Sequence, residues 1–234
     1  MQCDDRGMPE ASQRSYGGQS AQARRTERRA RLIDVALDVM AASDWRSITV
    51  EKLCVAAGLN KRYFYESFTD LDAVAAAAVD DIAAEVGAAT LAAVAAAAEA
   101  PIDRQAVAAV DAVVRHLVAD PRRARVLLGG VAASPALHRH RDDVMRGLTA
   151  VLVGHARGVH GVELRRDPLA EVAPAFVIGG TADAILAFLD GRARVSVDEL
   201  VDSLATLWLI TGNGAADLAR SRVEHAPPHP QSLP

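Results

Sequence analysis

An all-α fold is predicted by three features of the sequence. Half of the 234 residues are hydrophobic while only 4% are aromatic, and the dominance of Ala favours helices packed through small side chains. In segment after segment apolar residues recur at spacings of three and four, the period of a helix with one buried face. Gly, Pro and Ser/Thr/Asp residues punctuate these runs at the places where helices start and stop. The length suits one sizeable core or two small domains. The predicted organisation is a disordered arm over 1–22, a three-helix unit with a helix-turn-helix over 23–70, a larger helical domain over 71–220, and a disordered tail over 221–234.

Composition narrows the function classes. No uncharged apolar run of membrane-spanning length is read in the chain; the longest candidate, Ala83–Ala98, is mostly Ala and carries Glu85. Asp4 and Asp5 and the lack of an apolar segment argue against a signal peptide. Cys3 and Cys54 cannot make a disulfide framework. A soluble, cytosolic protein is expected, with no membrane partner. The net charge is −4, yet residues 20–65 hold nine Arg or Lys against five Asp or Glu, a local +4 on a body of −8. Such asymmetry suggests a basic polyanion-binding module on an acidic body.

The first helix is predicted from about Thr26, with Leu32, Ile33, Ala36, Leu37 and Met40 forming its apolar stripe. It should stop near Ser43–Asp44, with Asp44 tolerating the left-handed stop conformation. Trp45 and Ile48 then pack the exit turn. Thr49 is a good N-cap and Glu51 suits the positive first turn of the second helix, whose buried face is Val50, Leu53, Cys54 and Ala57. Gly58 supplies the turn, Leu59 plugs the angle between helices, and Asn60 caps the next helix. That helix, Lys61–Ser67, turns Phe64 and Phe68 inward and leaves Lys61, Arg62, Tyr63, Tyr65 and Glu66 outside. Two Tyr beside Lys and Arg on one short helix suit DNA, because Lys and Arg pair with phosphates or guanine edges and Tyr hydroxyls bond phosphates. Thr69 and Asp72 are expected to form a capping box for the fourth helix.

Through LIDVALDVMAASDW, SITVEKLCVAAGLNKRYFYESF and TDLDAV, over roughly Arg28–Val74, the chain resembles the TetR family of bacterial transcriptional regulators. The Thr cap, the AG turn, the FY pair and the Phe before the fourth helix stand at the family's spacing. The resemblance implies an all-α homodimer with an N-terminal DNA-binding domain and a larger helical domain for ligand binding and dimerisation. Carried over by position, Thr49, Asn60, Lys61 and Tyr65 would contact phosphates, and Arg62 and Tyr63 would face base edges. The function implied is a ligand-responsive, sequence-specific regulator, most simply a repressor released from a palindromic double-stranded operator by a small-molecule inducer. Three positions depart from the family pattern: Asp44 stands where Gly is usual, Arg62 often where Gly is, and Leu71 where a Lys is common. Glu66, on the groove side, would repel phosphate unless it accepts from a cytosine or pairs with Arg62.

The body continues as a long helix from Leu71 to about Ala100, then Ile102–Ala119, a short helix over Arg122–Val131, and one opened by Ser134-Pro135 and reaching about Val159. Gly158, Gly161 and Asp167-Pro168 delimit a loop. Pro168–Leu189 and Val197–Thr211 complete the set, with a stop at Gly191 and a capping box at Ser196 and Glu199. Surplus apolar residues on these last helices, among them Phe176, Ile185, Leu189, Leu204, Leu207 and Trp208, are read as a dimer interface. A pocket within the body would be lined by Ala, Val and Leu, with His116, His155, Thr181 or Asp183 orienting an apolar or amphipathic ligand.

No catalytic constellation stands out. His138 and His140 are two residues apart and so point to different sides of a helix, His155 and His160 flank a helix end, and no GxGxxG after a strand, Walker loop or CxxC occurs. No metal, cofactor or enzymatic activity is expected. The alternative is a helical enzyme or small-molecule carrier whose head is only structural.

Overall fold

A computed structural model describes residues 20–129, 134–160 and 168–224, without the side chains of 151, 152, 155–160, 170, 171, 223 and 224. The N-terminal arm up to residue 19, the tail from residue 225 and the predicted loop over 161–167 lie outside the described residues. Within them the chain is all helical, without a strand: α1 (Ala21–Ala41), α2 (Val50–Ala56), α3 (Lys61–Tyr65), α4 (Leu71–Ala96), α5 (Ile102–Ala119), α6 (Pro121–Leu127), α7 (Pro135–His160), α8 (Pro168–Leu189) and α9 (Val197–Glu224).

Three helix ends share one device. In each, a residue with positive φ follows the helix, and the next backbone N–H returns to the carbonyl five residues earlier, satisfying an orphan acceptor. Gly58 (φ 64°) ends α2 as Leu59 donates to Cys54. Gly191 (φ 70°) ends α8 as Arg192 donates to Ala187. At the end of α1 the positive φ (64°) belongs to Ser43, and Asp44 donates to Val39 with φ −93°. The expectation for Asp44 is therefore corrected by one position. Asp44 is needed next door, its carbonyl accepting from Ser47 to open a single 3-10 turn, Trp45–Ser47.

Caps define the starts. Thr49 accepts from Lys52 N (3.2 Å) and Asn60 from Tyr63 N (3.1 Å). Asp70, not Thr69, caps α4, accepting from Ala73 N at 2.8 Å, while the Thr69 hydroxyl donates to the Asp70 carboxylate. Asp120 caps α6 with Pro121 at its first position. Ser134 accepts from Leu137 N at the start of α7, and Ser196 and Glu199 close a reciprocal capping box at α9.

Several expected ends shift. α1 starts at Ala21 with Ser20 as its cap, ahead of Thr26 and inside the arm predicted over 1–22; α3 ends at Tyr65 and α4 at Ala96. α6 starts one residue earlier, on Pro121. α9 runs past Thr211 to Glu224, so the tail cannot begin at 221. Gly212 and Gly214 each weaken a helix by about 1 kcal/mol relative to Ala; the burial of Ala216 and Ala219 beyond them shows that packing carries the helix across that weak point.

One buried cluster runs through the molecule. Leu32, Leu53 and Phe64, each fully buried, form the core of the head; Val74, Val79 and Val86 line α4; Val114, Leu117, Ile185 and Leu204 centre the body. α4 contributes to both ends, packing on α1, α5 and α7, while α5 and α8 pack on α9. α8 is also long and apolar enough to cross a membrane, with a mean hydropathy of 1.8 over Val172–Leu189. The sequence reading, which named Ala83–Ala98 as the longest candidate, is corrected there. The α8 window contains Pro174 and Asp183.

Candidate nucleic-acid interface and internal cavity

α3 presents a short polar surface built on two buried rings. Phe64 is fully buried and Phe68 nearly so, with Tyr65 edge-on to Phe64 at 5.2 Å between centroids. This anchorage leaves Lys61, Arg62 and Tyr65 exposed. The caps add to the same surface. The Thr49 and Asn60 oxygens accept the capping bonds, so the Thr49 hydroxyl hydrogen and the Asn60 NH2 group remain as donors at exposed positions. Donors at the starts of two successive helices suit phosphate oxygens.

Acidic side chains pair with the bases of this surface. Lys61 Nζ meets Glu51 at 3.1 Å and Arg62 Nε meets Glu66 at 3.1 Å. Glu66 also lies 3.6 Å from Arg28, and Arg25 donates to its backbone carbonyl. The Arg28 guanidinium covers the Tyr63 ring, 4.2 Å from its centroid, so Tyr63 is half-buried rather than free like Tyr65. Arg25 and Arg28 hold the end of α3 from α1; the arginine run ahead of the α1 stripe is the sequence signal that contains them. Burial raises the Cys54 thiol pKa, with Lys61 opposing weakly, so the group stays protonated.

The body holds a partly open cavity of about 100 Å3 between α4, α5, α6, α7, α8 and α9. Its walls are apolar, including Val86, Leu91, Leu117, Leu127, Leu148 and Ile185. Two threonines interrupt them. Thr90 donates to the Val86 carbonyl of its own helix at 2.7 Å, and Thr181 accepts from Trp208 Nε1 at 2.7 Å. An adjoining pocket of about 140 Å3 shares Ile178 and Trp208 and is lined by Val153, Pro174 and Val177. A wider groove of about 500 Å3 opens beyond Leu128, Met145 and Ala182 and carries Arg141, Asp142, Arg146 and Asp183.

Of the expected pocket residues, Thr181 lines the inner cavity and Asp183 the outer groove. His116 does neither: its ring lies 3.2 Å from Glu85 and 2.9 Å from an Arg123 nitrogen. His155 belongs to α7, with its side chain outside the described residues. His138 bonds at Nδ1 with the Ser134 carbonyl, whereas His140 reaches Asp80 on α4 at 2.8 Å, so the pair is divided between two partners. No group of three metal-ligating side chains occurs among the described residues.

The apolar residues assigned to an interface divide by burial. Phe176 and Leu207 are 69% and 57% exposed, and Val172, Ile210 and Leu218 extend the apolar surface. Ile185 and Leu204 are core residues, Trp208 lines the cavity, and Leu189 packs against the core. Ile185 and Leu204 are corrected out of the surface, because both are buried within this chain's own core. Gly179, Gly180, Gly212 and Gly214 have no atom within 4 Å of where a Cβ would stand. Gly179-Gly180 thus makes no close packing against the described residues, and Gly179 borders the outer groove.

Head and body are joined by an ionic cluster. Arg122, at the start of α6, bonds Asp38 (2.7 Å) and Asp34 (3.1 Å) on α1, as well as Asp120 (2.8 Å). Asp120 first, and then Asp38, raise the Arg122 pKa above its ordinary value, and Arg122 in turn lowers that of Asp120.

No family model matches the sequence, and no curated protein matches it. The fold does have solved relatives. A putative transcriptional regulator from Pseudomonas aeruginosa PAO1 superposes with a TM-score of 0.66 at 22% identity, over 84% of this chain and 94% of that one. The transcriptional regulator FadR from Bacillus subtilis, solved with stearoyl-CoA, gives 0.64 at 15% over 76% and 96%. A TetR-family regulator from Streptomyces coelicolor gives 0.58 at 18% over 86% and 90%. At these identities the likeness establishes architecture, and the chain has the fold of the TetR-family transcriptional regulators.

Proposed function

We propose that the protein is a ligand-responsive, sequence-specific DNA-binding transcriptional regulator of the TetR type, acting as a repressor released by a small molecule. The observation that carries this is the α3 surface: Lys61, Arg62 and Tyr65 exposed on a short helix pinned by Phe64, beside the uncommitted donors of Thr49 and Asn60. Thr49, Asn60, Lys61 and Tyr65 bind phosphates, and Arg62 reads a base edge with Tyr63 beside it. Glu51 and Glu66 hold Lys61 and Arg62 in free protein, and both pairs exchange for DNA at small cost, since exposed ion pairs contribute about 0.2–1 kcal/mol.

A homodimer on a palindromic operator completes the proposal. Phe176, Leu207 and their apolar neighbours are offered as the surface for a second copy, with the surface glycines allowing close helix approach. Two heads then meet half-sites about one DNA turn, ~34–36 Å, apart. A cytoplasmic location goes with this role.

Ligand control uses the two helices that reach both the cavity and the head. α4 lines the cavity with Val86 and Thr90 and packs on α1; α6 lines it with Leu127 and grips α1 through Arg122. A ligand that favours one setting of α4 and α6 shifts the population of head positions and so the affinity for DNA. The cavity also accounts for Thr181, while Asp183 marks its outer approach.

Selection of bound sequences from a random DNA pool, followed by a salt titration, tests the proposal. A recovered palindrome bound well above random DNA at physiological salt is the expected result. Binding that is sequence-blind and steeply salt-dependent would leave only the polyanion affinity of a basic head and overturn the regulator assignment.

A further inference from the structure

The inner cavity has one hydrogen-bond donor to offer a ligand. The Thr90 hydroxyl hydrogen is committed to the Val86 carbonyl and the Trp208 N–H to Thr181. The Thr181 oxygen accepts from Trp208, and no acceptor for its own hydrogen is found among the described residues. Thr181 is 93% buried, its residue being 7% exposed, and it lines the cavity wall. A hydroxyl hydrogen inside an apolar chamber is costly to leave unmatched and selects a ligand that carries an acceptor.

Among the described residues no charged side chain lines this cavity or the adjoining pocket. The groove outside offers no net charge either, since it carries Arg141 and Arg146 together with Asp142 and Asp183. Of its arginines, Arg141 is held by the carbonyls of Leu127 and Leu128 at 2.7 and 2.6 Å, closing the end of α6, and Arg146 lies on the exposed rim beside Asp143. An ionised ligand group would therefore be buried without a counter-charge. The cavity, about 100 Å3, is of the order of the ~150 Å3 apolar cavity that takes benzene in an engineered protein.

We infer that the effector is a neutral, apolar molecule with a ring-sized body and a single hydrogen-bond acceptor, which receives the Thr181 hydroxyl hydrogen. This rests on the ligand-responsive assignment above. Thr181 is then the specificity-determining residue, with the Trp208 N–H fixing its hydroxyl so that the hydrogen points away from α9.

Four probes test this by calorimetry with the full-length protein: ethylbenzene, acetophenone, benzoate and dodecanoate. Acetophenone should bind about 3- to 10-fold more tightly than ethylbenzene, the difference one hydrogen bond makes. Benzoate and dodecanoate should bind at least ~100-fold more weakly than acetophenone. Thr181→Val, which keeps the volume, should erase the preference for acetophenone over ethylbenzene, and Thr181→Ser should restore it. Either anion binding as well as acetophenone, a preference that survives Thr181→Val, or absence of acetophenone binding would overturn the inference. The wild-type probe series stands independently of whether the variants fold. Because DNA selectivity is measured without any probe, failure of the ligand class and failure of the regulator assignment are distinguishable.

Discussion

Replacing Arg122 by Met should weaken the link between α6 and α1 while sparing the buried cluster. The aliphatic stem is retained, and the bonds to Asp34, Asp38 and Asp120 are lost. Asp34 and Asp38 are about 60% exposed as side chains (62% and 58%), so their pairs with Arg122 count as surface pairs despite the short distances. At about 0.2–1 kcal/mol each, with a further contribution from the more buried Asp120, the loss should be about 1–2 kcal/mol in urea unfolding at fixed protein concentration. A cycle with Asp38→Asn should give a coupling of about 0.5–1 kcal/mol. The dependence on pH has a definite sign. Arg122 depresses the folded-state pKa of Asp120, through its hydrogen bond first. The stabilisation is therefore present above the ordinary carboxylate range and disappears as pH falls through the lowered value. Wild type and variant should thus converge in stability on acidification. A coupling indistinguishable from zero, or a stability gap that widens in acid, would refute the assignment of Arg122 as the ionic link between α6 and α1.

Three further outcomes are expected. Tyr65→Phe should weaken binding to all DNA sequences alike, whereas Arg62→Ala should cost about 1–3 kcal/mol at one base position and relax preference there; unchanged base preferences in a selection with Arg62→Ala would remove its reading role. Leu207→Asp with Phe176→Asp should shift the protein to monomer in sedimentation at micromolar concentration and lower operator affinity, while leaving the far-ultraviolet circular dichroism unchanged. Ser43→Gly should raise stability by about 0.5–1 kcal/mol in urea melts, because φ of 64° at Ser43 is strained for a residue with a Cβ.

The head was legible because its determinants are local. Thr49 and Asn60 cap helices whose first residues they precede by one, Gly58 stands at a turn needing positive φ, and Phe64 and Phe68 fall four apart on one face; the helix-turn-helix, its buried side and its exposed α3 surface follow from those residues alone. Where a local rule admitted neighbouring choices, the fold selected between them. Ser43 rather than Asp44 took the left-handed position, because Asp44 opens the next turn, and Asp70 rather than Thr69 took the cap of α4. Tertiary packing decided the rest. Ile185 and Phe176 are equally apolar in sequence, yet one is core and the other surface, since burial depends on which helix lies opposite. α9 crosses Gly212 and Gly214 because Ala216 and Ala219 are packed beyond them. His116 left the pocket for Glu85 and Arg123, and Thr181 acquired its role only when Trp208, 27 residues away, came within hydrogen-bond reach. Periodicity, caps and turns are written in adjacent residues, whereas a cavity and its one free donor are properties of several helices brought together.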